Sequence, residues 1–172
     1  MGVFEVINEL ERNREEWNVA RETIEFIFVI LKITKPKNVL EIGTFNGYSA
    51  LWLSLNSKNV VTLEVDKERV RTAKDNFLKA NVKNIKIIGG DAIENLKKLK
   101  ERFDIIFIDG KKSEYKEYLE SSLKLLNENG LIFVDNTISH KYKLKEFFEY
   151  LKKSKLYYQE LNLGKGLIII SK

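Results

Sequence analysis

Residues 40–49 read Leu-Glu-Ile-Gly-Thr-Phe-Asn-Gly-Tyr-Ser, and the rest of the predicted fold follows from this stretch. The apolar run 39–42 is interrupted only by Glu41 and stops at Gly43, and Gly47 then precedes a segment with helical spacing. A buried strand, a glycine-bearing turn and a helix start form the first half of a nucleotide-binding βαβ unit. Gly43 would leave room for a ligand beside the backbone, and Gly47 would allow close packing at the helix start.

A second carboxylate lies on the next predicted strand, where Glu64 stands near the end of residues 59–65. A carboxylate at that point can accept hydrogen bonds from ribose hydroxyls, and Glu41 on the first strand suits a cationic group. Phe45 replaces the middle glycine of the dinucleotide fingerprint, which argues against a pyrophosphate ligand. We therefore expect a ligand such as S-adenosylmethionine. A generic α/β turn with two solvated carboxylates is the alternative.

The composition indicates one soluble, charge-rich globular domain. The 172 residues are 44% hydrophobic and 32% charged, which is enough apolar material for a single large core. We expect one domain over residues 1–172, with N-terminal helices in residues 1–36 packed on it. The chain has no cysteine, which excludes disulfides, zinc thiolate sites and a cysteine nucleophile.

The sequence shows neither a signal peptide nor a membrane span, and we expect a cytoplasmic protein. The most apolar run, residues 26–31, is far too short to cross a bilayer. The net charge is +5, and the lysines are spread along the chain. A modest positive field favours acidic partners, nucleic acid included, without requiring them, and a solvated lysine-rich surface is the simpler interpretation.

Strand and helix patterns alternate along the chain. The predicted strands are 39–42, 60–65, 85–88, 103–108, 131–134, 156–161 and 167–171, and the predicted helices are 3–10, 22–34, 48–55, 67–80, 92–99, 113–126 and 143–152. Alternation predicts a parallel sheet with right-handed crossovers, and the short turn Gly164-Lys165-Gly166 predicts a final antiparallel hairpin. The expected fold is α/β, a Rossmann-like, doubly wound and mostly parallel seven-stranded sheet with a C-terminal antiparallel hairpin.

Acidic and amide side chains collect at the carboxyl ends of the predicted strands, where doubly wound sheets bind ligands. These positions are Glu41, Gly43, Glu64, Asp91, Asp109, Asp135 and Asn136. Crowded like charges repel, so we expect a cation among them. Asp109, Asp135 and Asn136 offer only oxygen donors, which suit Mg²⁺, with Mn²⁺ or Ca²⁺ as alternatives. Capping of strand and helix ends is the other interpretation of these residues.

Five motifs, in this order, resemble those of the cation-dependent O-methyltransferases. They are residues 40–49, Thr62-Leu-Glu64, Gly89-Gly-Asp91, Phe107-Ile-Asp109 and Val134-Asp-Asn136. The resemblance runs from about Trp17 to the C-terminus. This family includes catechol and caffeoyl-CoA O-methyltransferases and bacterial enzymes that methylate hydroxyuridine in tRNA.

The resemblance implies a role for individual residues. Glu64 would bind the ribose, Asp91 and Ala92 would flank the adenine, and Asn18-Val19 would lie over the cofactor. The residues expected to bind S-adenosylmethionine are Val19, Glu41, Gly43, Phe45, Gly47, Ser49, Glu64, Val65, Asp91, Ala92 and Asp109. The residues expected to hold the metal are Asp109, Asp135 and Asn136.

Lys112 falls where the family has its catalytic lysine, and it would take the proton of the acceptor hydroxyl. A surface lysine at a helix start is an equally good interpretation from sequence alone. His140, the only histidine, is an alternative base. Lys111 departs from the family pattern, in which an acidic residue often precedes the lysine.

The predicted function is a divalent-cation-dependent O-methyltransferase that acts on a small acceptor with vicinal oxygens. The alternatives are a tRNA hydroxyuridine-type O-methyltransferase and a non-catalytic S-adenosylmethionine-binding protein. A short N-terminus and a compact segment 137–143 leave the acceptor site thinly covered and the acceptor itself open. We also expect a homodimer to which the apolar helices 3–10 and 22–34 contribute.

Overall fold

The computed structural model describes residues 1–172, and strands and helices alternate along it. The strands are β1 Asn38–Ile42, β2 Asn59–Glu64, β3 Ile85–Gly89, β4 Phe103–Ile108, β5 Leu126–Asp135, β6 Tyr157–Leu161 and β7 Leu167–Ser171. The helices are α1 Val3–Arg12, α2 Arg21–Thr34, α3 Tyr48–Ser54, α4 Lys67–Lys79, α5 Ala92–Lys98, α6 Tyr115–Leu125 and α7 Lys145–Lys153. Most boundaries lie within two residues of the predicted ones.

All seven strands form one sheet in the order β3-β2-β1-β4-β5-β7-β6. The strands β1 to β5 are parallel, and β7 runs antiparallel to both β5 and β6. The predicted fold class is confirmed. Because β7 inserts beside β5, Leu167 at its start pairs with Asp135 at the end of β5. The turn before β7 therefore reaches the edge of the sheet at which the parallel strands end.

Helices cover both faces of the sheet, which explains why its central strands are nearly continuous apolar runs. On β4, Ile105 and Phe107 join one buried cluster, together with residues of α1 to α4. Ile106 and Ile108 join the second cluster, together with residues of α5 to α7. Successive side chains of a strand point to opposite faces, so an apolar run of this kind supplies both layers. No helix combines the length and the hydropathy needed to span a bilayer.

The fifth strand differs from its predicted bounds. It begins at Leu126, directly after α6, rather than at residue 131, because Leu126 pairs with Phe103 before a register shift. Gly130, predicted to open the strand, lies inside it, and an added Cβ there would lie 2.6 Å from Leu126 Cδ1. The predicted helix 113–126 also changes, since it starts with a single 3-10 turn at Lys112–Glu114.

Gly43 has a packing role in addition to the expected one. An added Cβ would lie 2.2 Å from the carbonyl oxygen of Asp109, and its φ of +102° is unfavourable for other residues. The glycine therefore permits the close approach of the ends of β1 and β4. Gly47 behaves as expected, because an added Cβ would lie 2.6 Å from the Phe77 ring.

We predict that Gly43→Ala lowers the free energy of unfolding by about 2–4 kcal/mol, because the new methyl group must displace the end of β4. Urea denaturation followed by circular dichroism measures this loss. Gly2→Ala is the matched control, since no atom lies within 4 Å of an added Cβ there. Equal stability of the two variants would contradict the close-approach explanation.

Candidate active site

A cavity of about 890 Å³ opens at the edge where the parallel strands end. Its wall contains the segments that follow β1, β2, β4 and β5, residues 16–19 from the N-terminal region, and Lys165 from the turn before β7. Ligands of doubly wound sheets bind at this edge. The volume lies in the range typical of small-molecule sites, roughly 300–1,000 Å³.

Nine of the eleven residues expected to bind the cofactor line this cavity. They are Val19, Gly43, Phe45, Ser49, Glu64, Val65, Asp91, Ala92 and Asp109. Glu41 and Gly47 are absent from the wall. Gly47 lies behind the turn against Phe77, and Glu41 lies beneath it in the sheet.

Glu64 holds the turn after β1 in place. Its Oε2 accepts a hydrogen bond from the Phe45 N–H at 2.8 Å, and its Oε1 accepts one from the Asp66 N–H at 3.0 Å. Phe45 has a φ of +52°, a strained conformation that this hydrogen bond helps to fix. Each carboxylate oxygen retains a second lone pair for a ligand. Glu64 therefore shapes the cavity wall and also offers it hydrogen-bond acceptors.

Glu41 is fully buried, and its carboxyl group has one partner. Its Oε2 accepts from Thr62 Oγ1 at 2.5 Å, whereas its Oε1 has none. Burial raises the pKa of Glu41 to about 8, although the hydroxyls of Ser49 and Thr62 act in the opposite direction. The group is protonated at neutral pH in the folded protein. It therefore lacks the negative charge with which it was expected to attract a cationic ligand.

The three predicted metal ligands lie together at the ends of β4 and β5. Asn136 Nδ2 donates to Asp109 Oδ1 at 2.6 Å and to Asp135 Oδ2 at 3.2 Å. Burial raises the pKa of both aspartates, that of Asp135 to about 7, while the nearby Lys112 opposes the change in each. No group of three or more His, Cys, Asp or Glu side chains is arranged to hold a metal ion. The cluster consists of two carboxyl groups and one amide.

The cluster fits a hard divalent cation in its donor chemistry. Asp135 Oδ1 is buried without a hydrogen-bond partner, which is unusual for a buried polar atom. Rotation of the Asn136 amide would present its oxygen in place of its nitrogen. Three oxygen donors would then converge, which is the ligand type that Mg²⁺ and Ca²⁺ prefer.

The two candidate bases both lie in the cavity wall. Lys112 Nζ donates to Asp109 Oδ1 at 2.9 Å and to the Gly110 carbonyl at 3.1 Å, so it is adjacent to the metal cluster. His140 Nδ1 lies 2.9 Å from Ser139 Oγ. Partial burial, followed by nearby lysines, lowers the pKa of His140, which is therefore neutral at pH 7.

Residues 14–19, called the strap here, pass over the cavity. Asn18 Nδ2 donates to Asn46 Oδ1 at 2.9 Å, and Lys165 Nζ donates to the Glu16 carbonyl at 2.9 Å. The Arg69 guanidinium lies 5.8 Å from the ring centre of Trp17 and 5.1 Å from that of Phe45. Cation–π contacts of this kind stabilise the closed strap.

Sequence reasoning identified Asn18 and Val19 in the strap but missed Arg69 and Lys165. For Arg69, the sequence offered only its position in the first turn of α4, shortly after the end of β2. That position places it at the edge of the sheet where the parallel strands end. Lys165 reaches the site only because β7 is antiparallel and pairs with β5.

A family model described as O-methyltransferase matches residues 5–163. The chain belongs to this O-methyltransferase family. The resemblance inferred from the five motifs is thereby confirmed.

The names of similar curated proteins agree with membership of the O-methyltransferase family. A catechol O-methyltransferase from Niastella koreensis is 34% identical over 122 residues, which cover 66% of this chain and 55% of the relative. This chain spans little more than half the length of the curated relatives that it matches.

Solved structures of similar proteins cover nearly the whole chain. The SAH-bound methyltransferase PaMTH1 from Podospora anserina superposes with a TM-score of 0.89 at 26% identity, covering 98% of this chain and 86% of that one. An O-methyltransferase from Bacillus cereus in complex with SAH gives a TM-score of 0.84 at 27% identity, covering 99% and 90%.

The buried carboxyl group of Glu41 predicts a specific pH dependence of stability. Between pH 4.5 and about 8 the unfolded chain loses this proton while the folded protein keeps it, so stability falls as the pH rises through that window. Glu41→Gln removes this contribution. We expect the variant to gain roughly 3–5 kcal/mol relative to the parent protein across the window.

Urea denaturation at pH 4.5 and at pH 8 measures the change. Glu128→Gln is the control, because Glu128 is exposed and its substitution leaves the pH dependence of the parent protein intact. Parallel pH dependence in Glu41→Gln and the parent protein would show that Glu41 does not hold its proton.

Proposed function

We propose that this chain is an S-adenosylmethionine-dependent O-methyltransferase that requires a divalent cation and acts on a small acceptor with vicinal oxygens. The observation that supports this function is a single cavity with two kinds of wall. Glu64 and Asp91 lie at one end, and Asp109, Asp135 and Asn136 lie at the other. Family membership and the names of the relatives agree with the reaction class.

On the cofactor side, S-adenosylmethionine supplies a methyl group activated by a positively charged sulfur. Glu64 accepts hydrogen bonds from the ribose hydroxyls through the lone pairs that the backbone leaves free. Asp91 and Ala92 flank the adenine at the start of α5. Val19 and Phe45 exclude water from above, because the strap and the turn after β1 meet there.

On the acceptor side, a bound divalent cation would supply Lewis acidity that lowers the pKa of the acceptor hydroxyl. Asp109, Asp135 and Asn136 would hold that cation through their oxygens. Lys112 acts as the base in its neutral amine form, after its ammonium has released a proton to solvent. Its Nζ takes the hydroxyl proton while the O–CH₃ bond forms and the C–S bond breaks, with the electron pair of that bond remaining on sulfur. His140 is the second candidate for the proton acceptor.

An RNA acceptor is the second candidate function, and a basic surface beside the cavity favours it. Lys141, Lys145 and Lys152 line a depression together with the aromatic rings of Tyr142 and Tyr158. Glu149 and Glu160 line it as well, and Glu160 lies 3.5 Å from Lys141 Nζ, so the excess of positive charge is small. Lysines interleaved with aromatic rings bind single-stranded nucleic acid through phosphates and stacked bases. Binding of tRNA with a steep salt dependence would favour this function over a small acceptor.

The homodimer stays a prediction. The inner faces of α1 and α2 are buried in their own domain, where Ile7 and Ile27 are almost inaccessible. Their outer faces carry exposed apolar side chains, of which Phe4, Val29 and Ile33 are 52%, 52% and 73% exposed. An apolar surface of this kind supports an interface to which these helices contribute.

We predict that Glu64→Gln weakens S-adenosylmethionine binding by about 1.5–3 kcal/mol, because a charged hydrogen-bond partner of the ribose is lost. Isothermal titration calorimetry measures the affinity. Glu68→Gln makes the same change of charge at an exposed position in the first turn of α4, and it should bind normally. Unchanged affinity in a folded Glu64→Gln protein would exclude the ribose assignment.

We also predict that excess EDTA abolishes methyl transfer to a catechol while S-adenosylmethionine still binds, because the two ligands occupy different ends of the cavity. Asp135→Asn should lose most of the metal-dependent activity, and Asp75→Asn, at an exposed position of α4, should lose none. Methyl transfer from radiolabelled cofactor measures the activity. Full turnover in the presence of the chelator would refute the requirement for a cation.

A further inference from the structure

The charges around the cavity are unevenly distributed along the edge of the sheet. Glu64 and Asp91 follow β2 and β3, on one side of β1. Lys143 and Lys165 lie on the other side, beyond β5, and both line the cavity. The Ile138 N–H donates to the Lys165 carbonyl at 3.1 Å, which joins the turn before β7 to the segment after β5.

Other cations of the cavity wall already have partners. Lys111 forms an ion pair with Glu114 at 2.6 Å, and Lys112 forms one with Asp109 at 2.9 Å. Arg69 lies against the rings of Trp17 and Phe45. These contacts satisfy the positive groups nearest to the ends of β2 and β4.

Lys143 and Lys165 have no carboxylate within 4.0 Å, in contrast to these neighbours. Lys165 is half-buried, and its only hydrogen bond from Nζ goes to the neutral carbonyl of Glu16. Lys143 is exposed, and its Nζ lies 5.4 Å from the centre of the Tyr142 ring at the rim of the cavity. A half-buried ammonium group such as that of Lys165, with no carboxylate in contact, is stabilised when a ligand brings a negative charge to it.

We propose that Lys143 and Lys165 form an anion-binding subsite in the acceptor half of the cavity, so that the acceptor carries a carboxylate or phosphate group beside its vicinal oxygens. This inference rests on the proposed function, because it concerns the substrate of the same site. Lysine binds such anions as a compact point charge with three donors. The two lysines also offset the repulsion that Asp109 and Asp135 exert on an anionic acceptor.

The carboxylate of the cofactor is a poorer partner for these lysines. A cofactor anchored at the ends of β1 and β2 is separated from β7 by β4 and β5. Neighbouring strands are about 4.8 Å apart, so β1 and β7 are about 14 Å apart at this edge. The acceptor, held beside Asp135 at the end of β5, is the closer ligand.

Steady-state kinetics with two matched acceptors test the subsite. The acceptors are a vicinal dihydroxybenzoate and the corresponding dihydroxybenzamide, which have the same shape and differ in charge. We expect the benzoate to have a KM about tenfold lower than that of the amide, as one charge-assisted hydrogen bond provides. The corresponding phosphonate separates the two anions, since a lower KM for it than for the benzoate identifies a phosphate subsite.

Substitutions of the two lysines test whether they cause the preference for the benzoate over the amide. Lys143→Gln and Lys165→Gln should each raise the KM of the benzoate about tenfold, with kcat, the KM of the amide and the cofactor affinity changed less than about twofold. Gln at position 165 keeps an N–H donor for the Glu16 carbonyl, so the strap is retained. Lys143→Arg and Lys165→Arg should restore the preference, and Lys153→Gln, at an exposed position at the end of α7, should preserve it.

Equal KM values for the benzoate and the amide would overturn the subsite, as would Gln variants that weaken cofactor binding instead. Absence of methyl transfer to all three compounds would mean that the proposed function fails. Fluorescence titration then decides the subsite separately, because Trp17 lines the cavity. Tighter binding of the anions that is lost in both Gln variants supports the inference, and equal or absent binding of the anions and the amide refutes it.

Discussion

The contact between the ends of β1 and β4 is the constraint on which the site depends. The Asp109 N–H donates to the Ile42 carbonyl at 2.9 Å, and the Gly43 N–H donates to the Leu63 carbonyl at 3.0 Å. These bonds draw three strand ends together so tightly that only glycine fits at position 43. As a consequence, Asp109 lies beside the turn that faces the cofactor side. The expected cofactor half of the cavity and the cluster of Asp109, Asp135 and Asn136 therefore border each other at this one residue.

Burial of carboxyl groups carries a free-energy cost, and the site meets it in different ways. Two backbone N–H groups satisfy Glu64, and Lys112 satisfies Asp109. Glu41 and Asp135 each retain an oxygen without a partner, and burial raises the pKa of both. Glu41 lies behind the wall, where protonation compensates for its burial. Asp135 lies in the wall, where a bound cation can compensate for its burial instead. Burial therefore makes Glu41 a neutral structural residue and Asp135 a candidate metal ligand.

The sequence predicts the fold because parallel strands buried on both faces leave an unmistakable pattern of short apolar runs between helices. It also predicts most of the cavity wall, because residues that follow such strands must meet at one edge. It does not reveal the protonation of Glu41, which depends on how completely the surrounding layers cover it. Nor does it reveal the start of β5 at Leu126, which depends on pairing with Phe103 far away in the chain. Arg69 and Lys165 were missed for the same reason, since their positions at the site follow from tertiary packing.

The reversed final strand gives the site a connection that a purely parallel sheet would lack. Because β7 runs antiparallel beside β5, the turn that precedes it lies at the ligand edge. Lys165 in that turn donates to the Glu16 carbonyl of the strap, while the turn's backbone accepts from Ile138 and Ser139 after β5. The cover over the cofactor half is therefore tied to the segment that borders the acceptor half. Lys165 is therefore the side chain that joins the strap to the turn before β7, at the border between the two halves of the cavity.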